Sequence, residues 1–187
     1  MILDSAEEVR KYLVKEELIN EAEETEISRL TGGVSCRVWK AVSNKGRWVL
    51  KQALDKLEVQ ADWFSDVERI HREHKVMEQI GLIVPDSNVP KVLHVDYVNH
   101  IYMMTCAEEG AQTWKDLMMQ GIFNPETAKS AAITLSRIHS RSDKIDEGLK
   151  AEFSDQKYFD QLRIEPFHRF LIRKYPELSV PINKLIN

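Results

Sequence analysis

Thr31-Gly32-Gly33-Val34-Ser35-Cys36, followed by Arg37–Val42, Ser43-Asn44-Lys45-Gly46 and Arg47–Gln52, is the stretch that decides the fold. A glycine-bearing turn opens it. The next run is rich in β-formers, with Trp39 and Ala41 on one side and Val38 and Val42 on the other. Asn44-Lys45-Gly46 is a turn signal, and Trp48-Val49-Leu50-Lys51 is a second strand. Strand, turn and strand at this spacing predict an antiparallel meander. Thr25–Leu30 precedes it as a shorter, mixed segment.

Working outward, Ser5-Ala6-Glu7-Glu8 has the form of a capping box, and Val9, Leu13 and Val14 recur at helical spacing, so a short helix is expected near residues 5–15. Ser65-Asp66-Val67-Glu68 has the same form. Ile70, His74 and Met77 follow at three-and-four spacing with no glycine before Gly81, which predicts a helix over 66–80 capped at that glycine. Val89–Val98 and Ile101–Thr105 read as strands joined by a tight turn at Asn99-His100. After Cys106 the character becomes helical. Asn124-Pro125-Glu126 supplies a cap and a first-turn proline, and Ala128, Ala131, Ala132, Leu135 and Ile138 share one face of a helix over about 125–141. Tyr158–Tyr175 also has helical character.

Composition sets the outer limits. The 187 residues, 43% apolar and 30% charged, suit one domain or two small lobes. With Lys+Arg 26 against Asp+Glu 30, the net charge of -4 gives no concentrated basic surface for phosphate backbones, so nucleic acid is not an expected partner. The early run Glu16, Glu17, Glu21, Glu23, Glu24 and Glu26 reads as a solvated face. Cys36 and Cys106 cannot build a disulfide framework or a four-cysteine zinc site. Asp4, Glu7 and Glu8 stand where a signal peptide wants a basic flank, and no run approaches the roughly 18 apolar residues of a membrane span. A cytoplasmic chain without a membrane partner is expected. His71 and His74 lie three apart on a helix, but no carboxylate or cysteine set converges with them in sequence, and they are taken as surface or half-buried histidines.

Three features carry possible chemistry. The Gly32-Gly33 turn lets backbone approach an anion, although a Gly-Gly pair alone is an ordinary hairpin feature. It is followed by neither the Gly-Lys-Ser/Thr of a Walker loop nor the third glycine of a dinucleotide fingerprint. Lys51 shares a face with Val49, and an inward ammonium needs an anion. Glu73, between Ile70 and Met77, is the candidate partner, with Glu68 assigned to the cap and Glu78 to solvent.

In order, these segments resemble the phosphotransferase enzyme family, which includes aminoglycoside phosphotransferases, choline kinases and methylthioribose kinases. Leu30–Ser35 through Val49–Gln52 is similar to its opening strands, Arg72–Glu78 to its glutamate-bearing helix, Tyr102–Gly110 to its hinge, and Leu135-Ser136-Arg137-Ile138-His139 to its first large-lobe helix. Looser similarity continues through Leu162–Pro166 and Tyr175–Leu178. The resemblance implies an α+β, protein-kinase-like fold: an antiparallel small lobe with one main helix over 1–106, then the hinge and first helices of an incomplete helical lobe over 107–187. It implies transfer of the γ-phosphate of ATP or GTP to a small-molecule hydroxyl acceptor, with Mg2+ in the complete enzyme. It places Gly32, Gly33, Val34 and Ser35 over the triphosphate, Lys51 on the phosphates, Glu73 on Lys51, and adenine on the Thr105 carbonyl and Ala107 amide. Cys36 departs from the family, which commonly has a polar residue there.

The family also requires His-x-Asp-x-x-x-x-Asn and a later metal-binding aspartate. The sequence has one His-x-Asp, His94-Val95-Asp96, which lies inside a strand and is followed at the fifth position by Ile101. Asp143, Asp146, Asp155 and Asp160 lack the required neighbours. The expectation is therefore a truncated chain without a catalytic residue and without turnover of its own. The alternative is a non-catalytic kinase-like module that binds nucleotide or protein.

Overall fold

The computed structural model describes residues 1–84 and 89–186. Five antiparallel strands form one sheet in the order β1-β2-β3-β5-β4. They are β1 (Thr25–Leu30), β2 (Cys36–Ser43), β3 (Gly46–Ala53), β4 (Val92–Asp96) and β5 (Ile101–Thr105). Helix α1 (Ala6–Lys15) precedes the sheet and α2 (Arg69–Ile83) lies between β3 and β4. Beyond β5 come α3 (Trp114–Met119), α4 (Pro125–Ser140), α5 (Glu147–Ser154), α6 (Lys157–Phe159), a π-helical stretch Asp160–Arg169, α7 (Phe170–Lys174) and α8 (Ser179–Ile186). The wide π turns contain Pro166, which has no amide proton to give to an ordinary helical ladder.

Register explains which face each element covers. Trp39 pairs with Leu50 and Leu50 with Met103, so these three share a face by strand alternation. That face packs with Leu3, Val9, Tyr12 and Leu13 of the N-terminal segment and α1. Val38 pairs with Lys51, Lys51 with Tyr102 and Tyr102 with Val95, which defines the opposite face. Ile70 of α2 packs there against Cys36, Ala53 and Tyr102. Every buried apolar side chain among the described residues lies between Leu3 and Met103. The helices after β5 bury none of theirs completely, and Leu135 and Ile133 of α4 stand exposed.

The sequence-predicted meander and the strand Ile101–Thr105 are present. The Ser5–Glu8 capping box forms in both directions, with the Glu8 amide 3.2 Å from Ser5 Oγ and the Ser5 amide 3.0 Å from Glu8 Oε2. The Asn124 side chain caps α4 as expected, accepting from the Glu126 amide at 2.9 Å.

Three local expectations fail for identifiable reasons, and His71 and His74, expected at the surface or half-buried, are both buried. The second capping box does not form: Ser65 Oγ donates to Gln161 Oε1 at 3.0 Å, and α2 starts later, at Arg69, with no side-chain cap on Glu68. Gly81 is an interior residue of α2, which runs on to Ile83 and ends where the Val84 amide meets the Ile80 carbonyl. Glu23 is buried rather than solvated, because Ser43 Oγ donates to it at 2.6 Å and Lys45 pairs with its other oxygen.

The helical part joins α2 and the segment before it through polar bridges. Arg72 meets Asp155 at 3.1 Å, Lys75 meets Glu152 at 2.8 Å, and the Trp63 indole donates to the Gln161 carbonyl at 2.9 Å. No helix among the described residues is long and apolar enough to cross a membrane.

Candidate functional site

The face of the sheet opposite α1 carries the charged centre. Lys51 projects from β3 between Val38 and Tyr102, its partners in the neighbouring strands. Its ammonium bonds Glu73 Oε1, which α2 brings down onto this face. Tyr102 donates its phenolic proton to the same Glu73 oxygen at 2.9 Å. The Tyr102 ring is fully buried, and burial together with the Glu73 charge pushes its phenol well above the ordinary range, so it stays a donor. An ammonium has three donors, and Glu73 takes one of them; the others have no partner among the described residues.

The turn between β1 and β2 lies beside Val38 at the start of this face. Gly32 has φ +104, a left-handed conformation that side chains rarely adopt. A Cβ on Gly32 or Gly33 would meet nothing within 4 Å. The amides of Gly32, Gly33, Val34 and Ser35 donate to no group among the described residues, whereas the Val34 and Ser35 carbonyls are engaged. Val34 O accepts from the Glu58 amide at 2.8 Å, and Ser35 O from the Leu54 amide at 3.1 Å. The turn is thus held by its acceptors while its donors stay open.

Arg69 completes that anchorage. Its guanidinium is buried and donates to four carbonyls: Ser65 at 3.0 Å, Asp66 at 2.8 Å, Leu54 at 2.8 Å, and Ser35 in a short contact. It locks the base of the glycine turn to the end of β3 and the start of α2. Neither Arg69 nor Tyr102 was assigned a role from sequence. The alternation Ile101-Tyr102-Met103 shows that Tyr102 and Lys51 could share a face, but not that their strands are neighbours.

Cys36 lies in the apolar cluster beside Ile70 and Tyr102. Burial pushes its thiol up despite the nearby Lys51 charge, which suits a packing role. At the two ends of the β3–β5 ladder, the Cys106 amide bonds the Arg47 carbonyl at 3.2 Å and the Ala53 amide the His100 carbonyl at 3.1 Å. Antiparallel alternation then makes Trp48 and Thr105 a non-bonded pair, so the Thr105 carbonyl and amide both point away from β3. The Thr105 amide meets Lys91 O at 2.9 Å, and the exposed Ala107 amide has no partner among the described residues.

Four of the aspartates considered from sequence are occupied elsewhere. Asp96 shapes the β4–β5 turn, accepting the Val98 and Asn99 amides at 2.9 Å each. Asp146 caps α5, Asp155 holds Arg72, and Asp160 pairs with Arg169 at 2.6 Å.

The model of the phosphotransferase enzyme family matches residues 26–179, which takes in the sheet, α2 and most of the helical part. The chain belongs to the phosphotransferase enzyme family. Among solved structures, this family member is similar to a Ralstonia eutropha JMP134 chain assigned by its name to the aminoglycoside phosphotransferases. That match has 16% identity and a TM-score of 0.36, and it covers 58% of this chain and 29% of that one. No curated protein matches the chain.

Proposed function

We propose that this member of the phosphotransferase family is a small-molecule kinase that uses a nucleoside triphosphate, ATP or GTP, to phosphorylate a hydroxyl acceptor. Residues 1–106 would form a protein-kinase-like small lobe, and residues 107–187 the hinge with the first helices of a helical lobe. One observation carries it: Lys51 held by Glu73 on the face beside a glycine turn whose amides are open. The sheet order, with α2 inserted between β3 and β4, and the confinement of the core to Leu3–Met103 support the division.

The residues present suit the triphosphate. Lys51 keeps donors for phosphate oxygens because Glu73 uses one and fixes its direction. The amides of Gly32, Gly33, Val34 and Ser35 would cover the phosphates, and the Thr105 carbonyl and Ala107 amide would take the base. The residues present do not suit the accompanying Mg2+. Glu73 is engaged by Lys51 and Tyr102, and the one cluster of described residues able to hold a metal ion, Glu68 with His71 and His100, is rich in imidazole rather than oxygen. The chain also has no His-x-Asp-x-x-x-x-Asn. Its contribution is to bind and orient the nucleotide, and the aspartate that would position an attacking hydroxyl is not among its residues.

The test is a titration with a fluorescent ATP analogue. Wild type should bind saturably and release the probe to ATP, and Lys51→Ala should weaken binding by tenfold or more with an unchanged circular dichroism spectrum. Equal binding by both proteins would overturn the site.

A further inference from the structure

Glu68, His71 and His100 converge on one point outside the Lys51 face. His71 Nε2 lies 3.1 Å from His100 Nδ1, and Glu68 Oε1 lies 3.8 Å from that same nitrogen. One ligand atom from each of the three falls within 4.8 Å of the others. In sequence His71 stands beside His74 on the helix, and no carboxylate converges on them. The missing partners are Glu68, one turn earlier, and His100, at the tip of the β4–β5 turn.

We propose that Glu68, His71 and His100 form a binding site for a divalent transition-metal cation of the zinc class, with a fourth position left to water. Four-coordinate zinc takes imidazole nitrogen at about 2.0–2.1 Å, which places two ligand nitrogens roughly 3.3 Å apart. The 3.1 Å separation needs only a small adjustment. Glu68 is well exposed and free to turn its carboxylate inward, from 3.8 Å off His100 Nδ1 and within 4.8 Å of the His71 ligand nitrogen. A proton cannot serve the cluster as well as a cation does. Shared between the two imidazoles it satisfies one pair, and it leaves the Glu68 oxygen facing a nitrogen that is already engaged. A cation is satisfied by all three lone pairs at once. Two imidazoles and one carboxylate also select for zinc, cobalt or nickel over magnesium or calcium, which prefer all-oxygen shells.

The scaffold presents the two histidines rigidly. His71 is buried and stacks on Tyr97, ring centroids 4.5 Å apart. His100 sits at φ 52 in a turn that Asp96 holds through the Val98 and Asn99 amides. Gln52 ties the same turn to the sheet, donating to the Asn99 carbonyl at 3.1 Å. The ion would pin the first turn of α2 to the β4–β5 hairpin. Glu73 lies on that helix two residues beyond His71, so the ion would fix the element that carries it.

The test uses the full chain, untagged and stripped with a chelator. Zn2+ is titrated against a chromophoric competitor, and Co2+ is added separately for its visible spectrum. Wild type should bind one equivalent of Zn2+, resist competition by millimolar Mg2+, show the absorption of four-coordinate Co2+, and gain in thermal unfolding temperature. His100→Asn, which tolerates the left-handed backbone, and Glu68→Gln, at an exposed position, should each weaken Zn2+ binding at least tenfold and lose the Co2+ absorption, with unchanged circular dichroism. Absence of saturable one-equivalent binding, or wild-type affinity in either variant, would overturn the proposal.

Discussion

Tyr102 donates its phenolic proton to Glu73 Oε1 across 2.9 Å, at the oxygen that also receives Lys51. The bond crosses from β5 to α2, so the sheet itself orients the carboxylate that orients the lysine. Tyr102→Phe keeps the ring and its packing and removes only this donor. A hydrogen bond to a charged acceptor contributes about 1.5–3 kcal/mol, and the partly exposed Glu73 can recover some of that from water. A loss of about 1 kcal/mol in urea unfolding is expected. Nucleotide affinity should fall less than in Lys51→Ala. An unchanged urea midpoint would show that the tyrosine does not anchor Glu73.

Arg69 should matter more than any residue of the glycine turn. Its two terminal nitrogens donate to carbonyls from three separate segments, and no lysine can serve four acceptors from one point. Arg69→Lys should cost about 2–4 kcal/mol, as expected for stranding buried polar groups. Hydrogen exchange at the Leu54 amide, which bonds the Ser35 carbonyl, should accelerate along with it. Protection at Leu54 equal to wild type would show that the turn is held without Arg69.

The glycines of that turn should separate stability from binding. Gly32 is at φ +104, so Gly32→Ala strains the backbone by about 1–2 kcal/mol although space is open around it. Gly33 has neither a positive φ nor a neighbour within 4 Å, so Gly33→Ala should leave the thermal midpoint unchanged. If the turn covers phosphates, Gly33→Ala should still weaken the nucleotide severalfold, because the added methyl sits where backbone must approach the anion. Unchanged affinity in a stable Gly33→Ala protein would move the phosphates away from this turn.

The parts of this structure that could be read from sequence are those with a local cause. The strand pairs around Ser43–Gly46 follow from period-two alternation and a turn, and the Ser5 cap from a hydroxyl three residues before a glutamate. Lys51 and Glu73 emerged from the order of segments. What failed depended on contacts far along the chain. Ser65 is drawn from its helix by Gln161, and Glu23 is buried by the β2–β3 turn. His100 reaches His71 only after the β4–β5 hairpin that carries it folds. Spacing within a helix shows which residues share a face, but not which turn of another element will meet it.

His74 should give the fold an acid-sensitive window. It is fully buried, both ring nitrogens lack a hydrogen-bond partner among the described residues, and Nδ1 stops 3.6 Å short of Glu78. Burial pushes its pKa below the ordinary 6.5, against the opposing pull of Glu78. The unfolded chain therefore takes up a proton near 6.5 that the folded chain declines, so stability is level above that pH and falls as pH drops below it. The slope contributed by one such group cannot exceed about 1.4 kcal/mol per pH unit. Urea midpoints taken from pH 8 to 5 with a chelator present should show the decline, and His74→Leu should make it shallower. An equal decline in His74→Leu would assign the window to other groups.

The exposed apolar side chains of α4 should govern solubility rather than folding. Leu135 on one side of the helix is 53% exposed, Ile133 on the other side is 43% exposed, and no residue of the helix is buried. Apolar area already in water contributes little to the folded state, while exposed apolar area promotes association. Leu135→Lys together with Ile133→Lys should therefore raise the concentration at which light scattering appears and leave the thermal midpoint within a degree or two. A drop of many degrees would mean that these side chains pack against something in solution and are covered in the working form of the protein.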